Sequence, residues 1–583
     1  MAVCLGVRGA PGPLLKICSP SCNPRDNEHS RITSTSVITM SGVRLVKLVS
    51  TDSSHTTSGP LQTGQIQKVE EDLDALLPNN PFVPPKGDIC FIKNIPPELL
   101  SRIFEVGSEG NDSEDDEGEE GDKEEADAIG SSPAPWPSFQ IVVSHVCRHW
   151  RNVAFSTPSL WTRIDVILEA RPPYESVSTR LERSKGLPID IYVNCEPHNH
   201  ICNVKPPSDT DLEFLFTLLI PHVHRWRTVK ISVSEYHHMD VFLRAVSDPS
   251  IPAAPQLRSL QLYHLDEPEE YSSFEVSKHL TLFGGSAPLL TGLALWGVHV
   301  DWNQPWITSA SNLTYLELAF HAEYDCPSWA QFVSILRGAS ALEGLSLCLS
   351  GPSEYPPEWL IEPTPGSPAD LNALLQLPHL TDFVLMSRSQ ACAIGLLHKF
   401  CLPALKNLVL DFDNGDYTEF VHELAKPATS LSLPSDQEQP CSLLRNLETL
   451  KIARLPCRTD CVETLYGELE NLTSLNLSLS YLPEAFLGLL CSPCMLTGRH
   501  YTWLPRLVTL HVSGTSSDVL RGVVQKRKDA GVPLNSLYME SCEVEDEDVE
   551  WLKENLTTFE FCEDSDDEDL SDFEDSNGEV DEW

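Results

Sequence analysis

Two short stretches near the start of the chain carry apolar residues at helical spacing. In the first, Pro96 and Pro97 precede Leu99, Leu100, Ile103 and Phe104, which recur on one helix face. Prolines suit a first helical turn, where an N–H group has no intrahelical partner to lose. In the second, Val143, Val146, Cys147, Trp150, Val153 and Ala154 keep the same period, with Arg148, His149 and Arg151 on the other side. One helix over 142–154 is predicted there. Thr157 before Pro158 signals the start of a third short helix carrying Leu160, Trp161 and Ile164. Three helices this apolar cannot hide all their surface among themselves, so a stripe is left for a neighbouring domain or a partner.

Further along, the period changes from helical to alternating. Leu187, Ile189, Ile191 and Val193 alternate as in a strand, Asp211 to Ile220 reads as a helix, and Trp226, Val229 and Ile231 follow. The chain then repeats a unit of three apolar positions spaced three and then two residues apart. Ten copies occur in order, from Leu257, Leu260 and Leu262 to Leu534, Leu537 and Met539. Five of them carry a proline two residues before the first position: Pro255, Pro288, Pro378, Pro403 and Pro505. Helix-like segments such as 329–336 and 391–400 lie between units. No single unit buries its apolar side, so successive units must stack, with alternate strand residues turned inward.

The ordered set Ile95, Pro96, Glu98, Leu99, Leu100, Ile103, Phe104, then Val146, Cys147, Arg148, Trp150, then Pro158, Leu160 and Trp161 closely resembles the F-box. It covers about a tenth of the chain. It departs from the usual pattern by placing some three dozen residues between the first two helices. The resemblance implies docking on the Skp-type adaptor of SCF-type cullin–RING ubiquitin ligases. The adaptor-binding residues it implies are Ile95, Pro96, Leu99, Leu100, Ile103, Phe104, Val146, Cys147, Trp150, Leu160 and Trp161. The ten-fold unit resembles leucine-rich repeats, with two departures. Its period is uneven, from the low twenties to about forty residues, and the Asn or Cys that normally follows the strand is mostly replaced, by Leu265, Val298, His321 and Asp413 for example.

Composition then limits the function. The net charge of −44 is extreme, and about two-thirds of it sits in two runs, near 109–127 and 543–582. Nucleic-acid binding, which needs cations on one face, is disfavoured. The 18 cysteines form no dense framework, which fits reduced thiols in the cytosol or nucleus. No hydrolase elbow, phosphate-cradling loop or kinase set is present. Cys491 and Cys494 with His500, Cys457 with Cys461, and His198, His200 and Cys202 lack a complete second ligand pair, and His237 and His238 have no obvious partner in the sequence. No catalytic residue, cofactor or metal is therefore expected.

The expected organisation is α/β. A disordered region spans 1–88, an all-α F-box-like domain spans 89–168 with an acidic insertion at 105–138, a repeat solenoid spans 169–556, and an acidic tail spans 557–583. Variable strand positions would line the surface that holds a target protein, with Tyr315, Glu317, Asp382, Lys451, His511 and Tyr538 as candidates, alongside Asn407 and Asn476. The expected role is a non-catalytic substrate-recognition adaptor of a ubiquitin ligase. The alternative is a leucine-rich interaction scaffold that acts outside ubiquitin transfer.

Overall fold

The second and third residues of each of the ten triplets lie on a strand of one parallel sheet, and the first stands two residues before it. A computed structural model of the chain describes residues 36–40, 43–47, 95–109, 138–167, 170–195, 206–265, 280–353, 374–387, 389–412, 415–426, 442–477, 485–491, 493–494, 501–540 and 546–562. Two compact units are distinguished, and their boundary falls between Ile103 and Phe104.

Among the described residues, fourteen parallel strands form the main sheet, each paired with the next along the chain. They are β1 (Arg163–Val166), β2 (Ile189–Cys195), β3 (Trp226–Val233), β4 (Ser259–His264), β5 (Gly292–Trp296), β6 (Tyr315–Ala319) and β7 (Gly344–Cys348), followed by β8 (Asp382–Ser387), β9 (Asn407–Phe412), β10 (Thr449–Arg454), β11 (Ser474–Leu477), β12 (Thr509–Val512), β13 (Ser536–Glu540) and β14 (Thr558–Cys562). The register places apolar residues opposite one another from end to end. One such row runs Ile164, Ile191, Val229, Leu260, Leu293, Leu316, Leu345, Phe383, Leu408, Leu450, Leu475, Leu510, Leu537 and Phe559. Every residue of the ten triplets is buried. Burying one leucine is worth about 1.5–3 kcal/mol, so a stack of such rows is the main source of stability.

Helices connect most of the strands and cover one face of the sheet. Those used below are α1 (Pro97–Glu109), α2 (Phe139–Val146), α3 (Arg148–Ser156), α4 (Glu175–Arg183), α5 (Asp209–Leu219), α6 (Tyr236–Val246), α7 (Pro305–Thr308) and α8 (Trp329–Gly338), with α9 (Gln390–Lys399), α10 (Thr418–Ala425), α11 (Thr459–Glu468), α12 (Ala485–Leu490), α13 (Ser517–Asp529) and α14 (Asp546–Asn555) after them. Among the described residues no helix is long and apolar enough to cross a membrane. Before each strand from β4 onward a second ladder ties the repeats together. The amide of Thr291 donates to Arg258, Thr314 to Thr291, Glu343 to Thr314, Thr381 to Glu343 and Lys406 to Thr381, and the series continues to Thr557 on Asn535. Two buried arginines secure connections on the helix side. Arg225 donates to the Leu181 and Leu187 carbonyls and to Ser184 Oγ, and Arg527 to the carbonyls of Trp503, Leu504 and Leu507.

The structure departs from the sequence reading at several places. The single helix expected over 142–154 is two helices, α2 and α3, separated at Cys147, whose backbone is extended and whose Sγ caps α3 by accepting the Trp150 N–H at 3.4 Å. Ile164 lies on β1, not on the third helix, which is one 3-10 turn over Pro158–Trp161. The sheet therefore begins before residue 169, and it ends on β14, inside the stretch read as tail. The first five residues of the expected insertion continue α1. Within 1–88, strands Ser36–Met40 and Val43–Lys47 pair antiparallel. The rest of 1–88, residues 110–137 and the chain beyond 562 lie outside the described residues.

Repeat packing is tightest where Gly338, at the end of α8, meets α7. A Cβ there would sit 2.1 Å from the Thr308 carbonyl oxygen and 2.9 Å from its carbon, which is backbone and cannot swing aside. Gly522, inside α13, has open space at the same position. Gly338→Ala is expected to lower unfolding free energy by about 1–3 kcal/mol through overpacking, whereas Gly522→Ala should raise it by about 0.5–1 kcal/mol through helix propensity. Denaturant unfolding of both variants checks the pair; equal effects would show that the close approach is absent.

Candidate interaction surfaces

The first surface belongs to α1. Phe104 is buried and packs edge-on against Phe139 at 6.5 Å and Trp150 at 5.1 Å between ring centroids. One turn on, Glu105 accepts from Ser159 Oγ at 2.7 Å, tying α1 to the 3-10 turn. Leu100 is buried as well. The other stripe of the helix is in solvent: Leu99, Ile103 and Val106 are 59%, 54% and 54% exposed. Their spacing of four and three residues puts them in one row.

The residues implied for adaptor binding thus divide. Pro96, Leu99, Ile103, Val146 and Cys147 are exposed, while Ile95 and Trp150 are half-buried. Leu100, Phe104, Leu160 and Trp161 are buried and have a packing role; a partner cannot reach them without rearrangement. Trp161 donates Nε1–H to the Ala154 carbonyl at 2.9 Å, and Arg183 from α4 lies over the rings of Phe155 at 3.7 Å and Trp161 at 4.4 Å. The sequence did not single out Val106, Ile141 and Phe155, which are exposed apolar residues of α1, α2 and α3.

The second surface is the sheet face away from the helices. All six candidate target residues point to this face and are half-buried. Tyr315 and Asp382 stand in one row, with Gly344 between them, where a Cβ would come within 2.8 Å of the Tyr315 ring. Glu317, Lys451, His511 and Tyr538 stand in the next row. The structure groups Lys451, Asn476, His511 and Tyr538 on consecutive strands, and His511 stacks on Tyr538 with centroids 4.4 Å apart. Glu317 lies four strands from Lys451, roughly 19 Å at the usual strand spacing. It accepts from Tyr315 Oη at 2.9 Å, and burial raises the titration of both groups. Asp382 accepts from Asn407 Nδ2 at 2.6 Å. Burial lowers the Lys451 ammonium despite nearby Asp411, and burial with Lys451 lowers His511.

Between these groups the sheet carries an apolar layer absent from the sequence reading. Tyr263, Ala294, Trp296, Ala319, Cys348, Val384 and Met386 are buried on this second face, with Leu265, Phe320, Leu349 and Val409 packed against them. The signal was present: Gly292 to Trp296 is an unbroken apolar run, the mark of a strand covered on both sides.

Of the candidate chemistry elsewhere, the pair Cys457 and Cys461 resolves into packing. Cys461 is buried with Sγ 3.5 Å from His422 Nε2, and burial pushes the Cys457 thiol up to about 12, away from a reactive thiolate. The side chains of Cys494, His500, His198, His200 and Cys202 lie outside the described residues. His237 and His238, which lacked partners in sequence, have them in space. His237 pairs with Asp209 at 3.3 Å and Glu235 at 3.1 Å, and His238 Nε2 lies 3.0 Å from the Pro207 carbonyl.

His321 fills the repeat slot that Asn or Cys usually takes, and it does a similar job. Its Nε2 lies 3.2 Å from the Val298 carbonyl one repeat back, and its Nδ1 lies 2.8 Å from Ser350 Oγ one repeat on. His264 adjoins it around a small cavity, as do His299 and Asp325, whose Nδ1 and Oδ2 lie 2.7 Å apart.

No family model matches the chain, and no curated relative does. Among solved structures, a chain from the crystal structure of the Rad7 and Elc1 complex in yeast aligns over 86% of this chain and 98% of its own, at 13% identity and a TM-score of 0.29. A likeness at that level carries no argument about fold or function.

Burial pushes both His264 and His321 down to about 4, from an ordinary 6.5. Between those values the unfolded chain binds protons that the folded chain refuses. The stability they contribute is therefore complete above pH 6.5 and is lost as pH falls toward 4. Two protons set a limiting slope of about 2.7 kcal/mol per pH unit. Denaturant unfolding at pH 7.5, 6.5 and 5.5 should show stability level at first and then falling; a flat profile through 5.5 would exclude buried neutral imidazoles.

Proposed function

We propose that the chain is a non-catalytic substrate-recognition adaptor of an SCF-type cullin–RING ubiquitin ligase. Its helical segments, 95–109 and 138–161, dock an Skp-type adaptor, and through it a cullin and a RING subunit. The repeats hold a protein target. The chain makes no covalent bond; it raises the local concentration of the target's lysines beside a charged conjugating enzyme, so its contribution is proximity. It acts where thiols stay reduced, in the cytosol or nucleus.

The observation that carries this reading is the exposed row Leu99, Ile103 and Val106 on α1. Isolated surface leucines are ordinary. Three large apolar residues in register, on a helix whose opposite stripe is buried, are the kind of surface that another chain covers. The F-box resemblance falls on the same helix and names two of the three residues. For the target side, the support is the sheet face with its apolar layer and mixed polar groups.

Because these three side chains are in solvent, their removal leaves the interior intact. The variant Leu99→Ala, Ile103→Ala, Val106→Ala should keep its far-ultraviolet spectrum and thermal midpoint while losing about 100-fold or more in affinity for a purified Skp-type adaptor. Retained affinity would place the docking face elsewhere. Partners captured with no adaptor or cullin among them would favour a repeat scaffold outside ubiquitin transfer.

A further inference from the structure

The starts of α5 and α6 bring two histidines and two carboxylates together. Asp209 is the first residue of α5, Glu235 immediately precedes α6, and His237 and His238 follow in its first turn. Ligand atoms from Asp209, His237 and His238 lie within 4.8 Å of one another.

The hydrogen bonds assign those lone pairs. His238 is 2% exposed, and its Nε2 lies 3.0 Å from the Pro207 carbonyl, which can only accept. The proton is therefore on Nε2 and the lone pair on Nδ1. That Nδ1 is buried and has no hydrogen-bond partner. An unpaired buried acceptor is costly and calls for an occupant. His237 Nδ1 lies 3.1 Å from Glu235, and its Nε2 lies 3.3 Å from Asp209 Oδ1. With the proton on Nδ1 and given to Glu235, Nε2 becomes the free lone pair, facing Asp209. A separation of 3.3 Å is close to the roughly 3.4 Å between two donors bound tetrahedrally at zinc–ligand lengths of about 2.0–2.1 Å. Each imidazole thus has one nitrogen fixed by an outer carbonyl or carboxylate and the other left open, which is the arrangement that orients histidines on metals.

We propose that Asp209, His237 and His238 form a site for a zinc-like divalent transition ion, held by one carboxylate and two neutral imidazoles, with Glu235 and the Pro207 carbonyl orienting the rings. Imidazole with carboxylate suits zinc and its neighbours better than magnesium or calcium. The ion would fasten the two helices that flank β3. Asp209 and His237 are partly in solvent, at 54% and 36% side-chain exposure, so an ion has an entry path and room for a water or partner ligand.

The test uses the full chain, stripped with a chelator and titrated with Zn²⁺ under reducing conditions against a chromophoric competitor, with X-ray absorption at the zinc edge. The proposal expects one Zn²⁺ bound by nitrogen and oxygen, with imidazole scattering, and a thermal midpoint raised by the ion. His237→Ala and Asp209→Asn change exposed side chains and should fold normally. Each should weaken binding at least 10-fold and abolish the thermal shift. His238→Ala should do the same wherever it folds. Equal affinity in the full chain and both exposed variants, or a first shell made of sulfur, would overturn the proposal. The measurement reads ions and not adaptor capture, so it stands or falls apart from the ligase reading.

Discussion

Register across the parallel sheet is the constraint on which everything else depends. Side chains alternate between faces with a period of two, so a slip of one residue in any strand would turn its leucines away from the helices. The observed register avoids this from Ile164 on β1 to Phe559 on β14. The backbone ladder that precedes the strands repeats the same alignment in a second set of bonds, so each repeat is located twice by its neighbour. Once register is held, the length of the outer connection matters little, because closure entropy grows only logarithmically. That is how repeats spaced from the low twenties to about forty residues share one sheet.

The strands were readable because their pattern is local and redundant. Leu260 with Leu262, or Leu316 with Leu318, states a half-buried strand without outside help. The break at Cys147 was unreadable for the opposite reason. Val143, Val146, Cys147 and Trp150 keep helical spacing across it, and only the backbone at Cys147 departs from the helix. Ile164 was misplaced because one isoleucine after Trp161 fits either a helix or a strand. Partners far apart in sequence were invisible too. Asp209 reaches His237 across a whole strand, and His321 serves the carbonyl of Val298 and the hydroxyl of Ser350 on either side. Within α1 the sequence found four of the apolar residues, missed Val106, and could not sort those it found. Helical spacing alone does not say which stripe faces the interior when Leu99, Leu100, Ile103 and Phe104 are all large.

The sheet's second face shows how the repeats can serve recognition without the chain's net charge dominating it. Its charged groups are largely compensated in place. Asp190 pairs with Arg227 and Asp411 with Arg454 across neighbouring strands, Glu317 is bonded to Tyr315, and Asp382 to Asn407. The two runs that carry about two-thirds of the −44 charge lie almost entirely outside these strands. A partner on this face therefore meets an apolar layer bordered by carboxylates that already have partners. Breaking those bonds would leave buried charges unpaired, at a cost of several kcal/mol each. Binding that leaves them intact has to rely on shape and apolar contact. On physical grounds such recognition should depend only weakly on salt, as contacts between exposed charges would not.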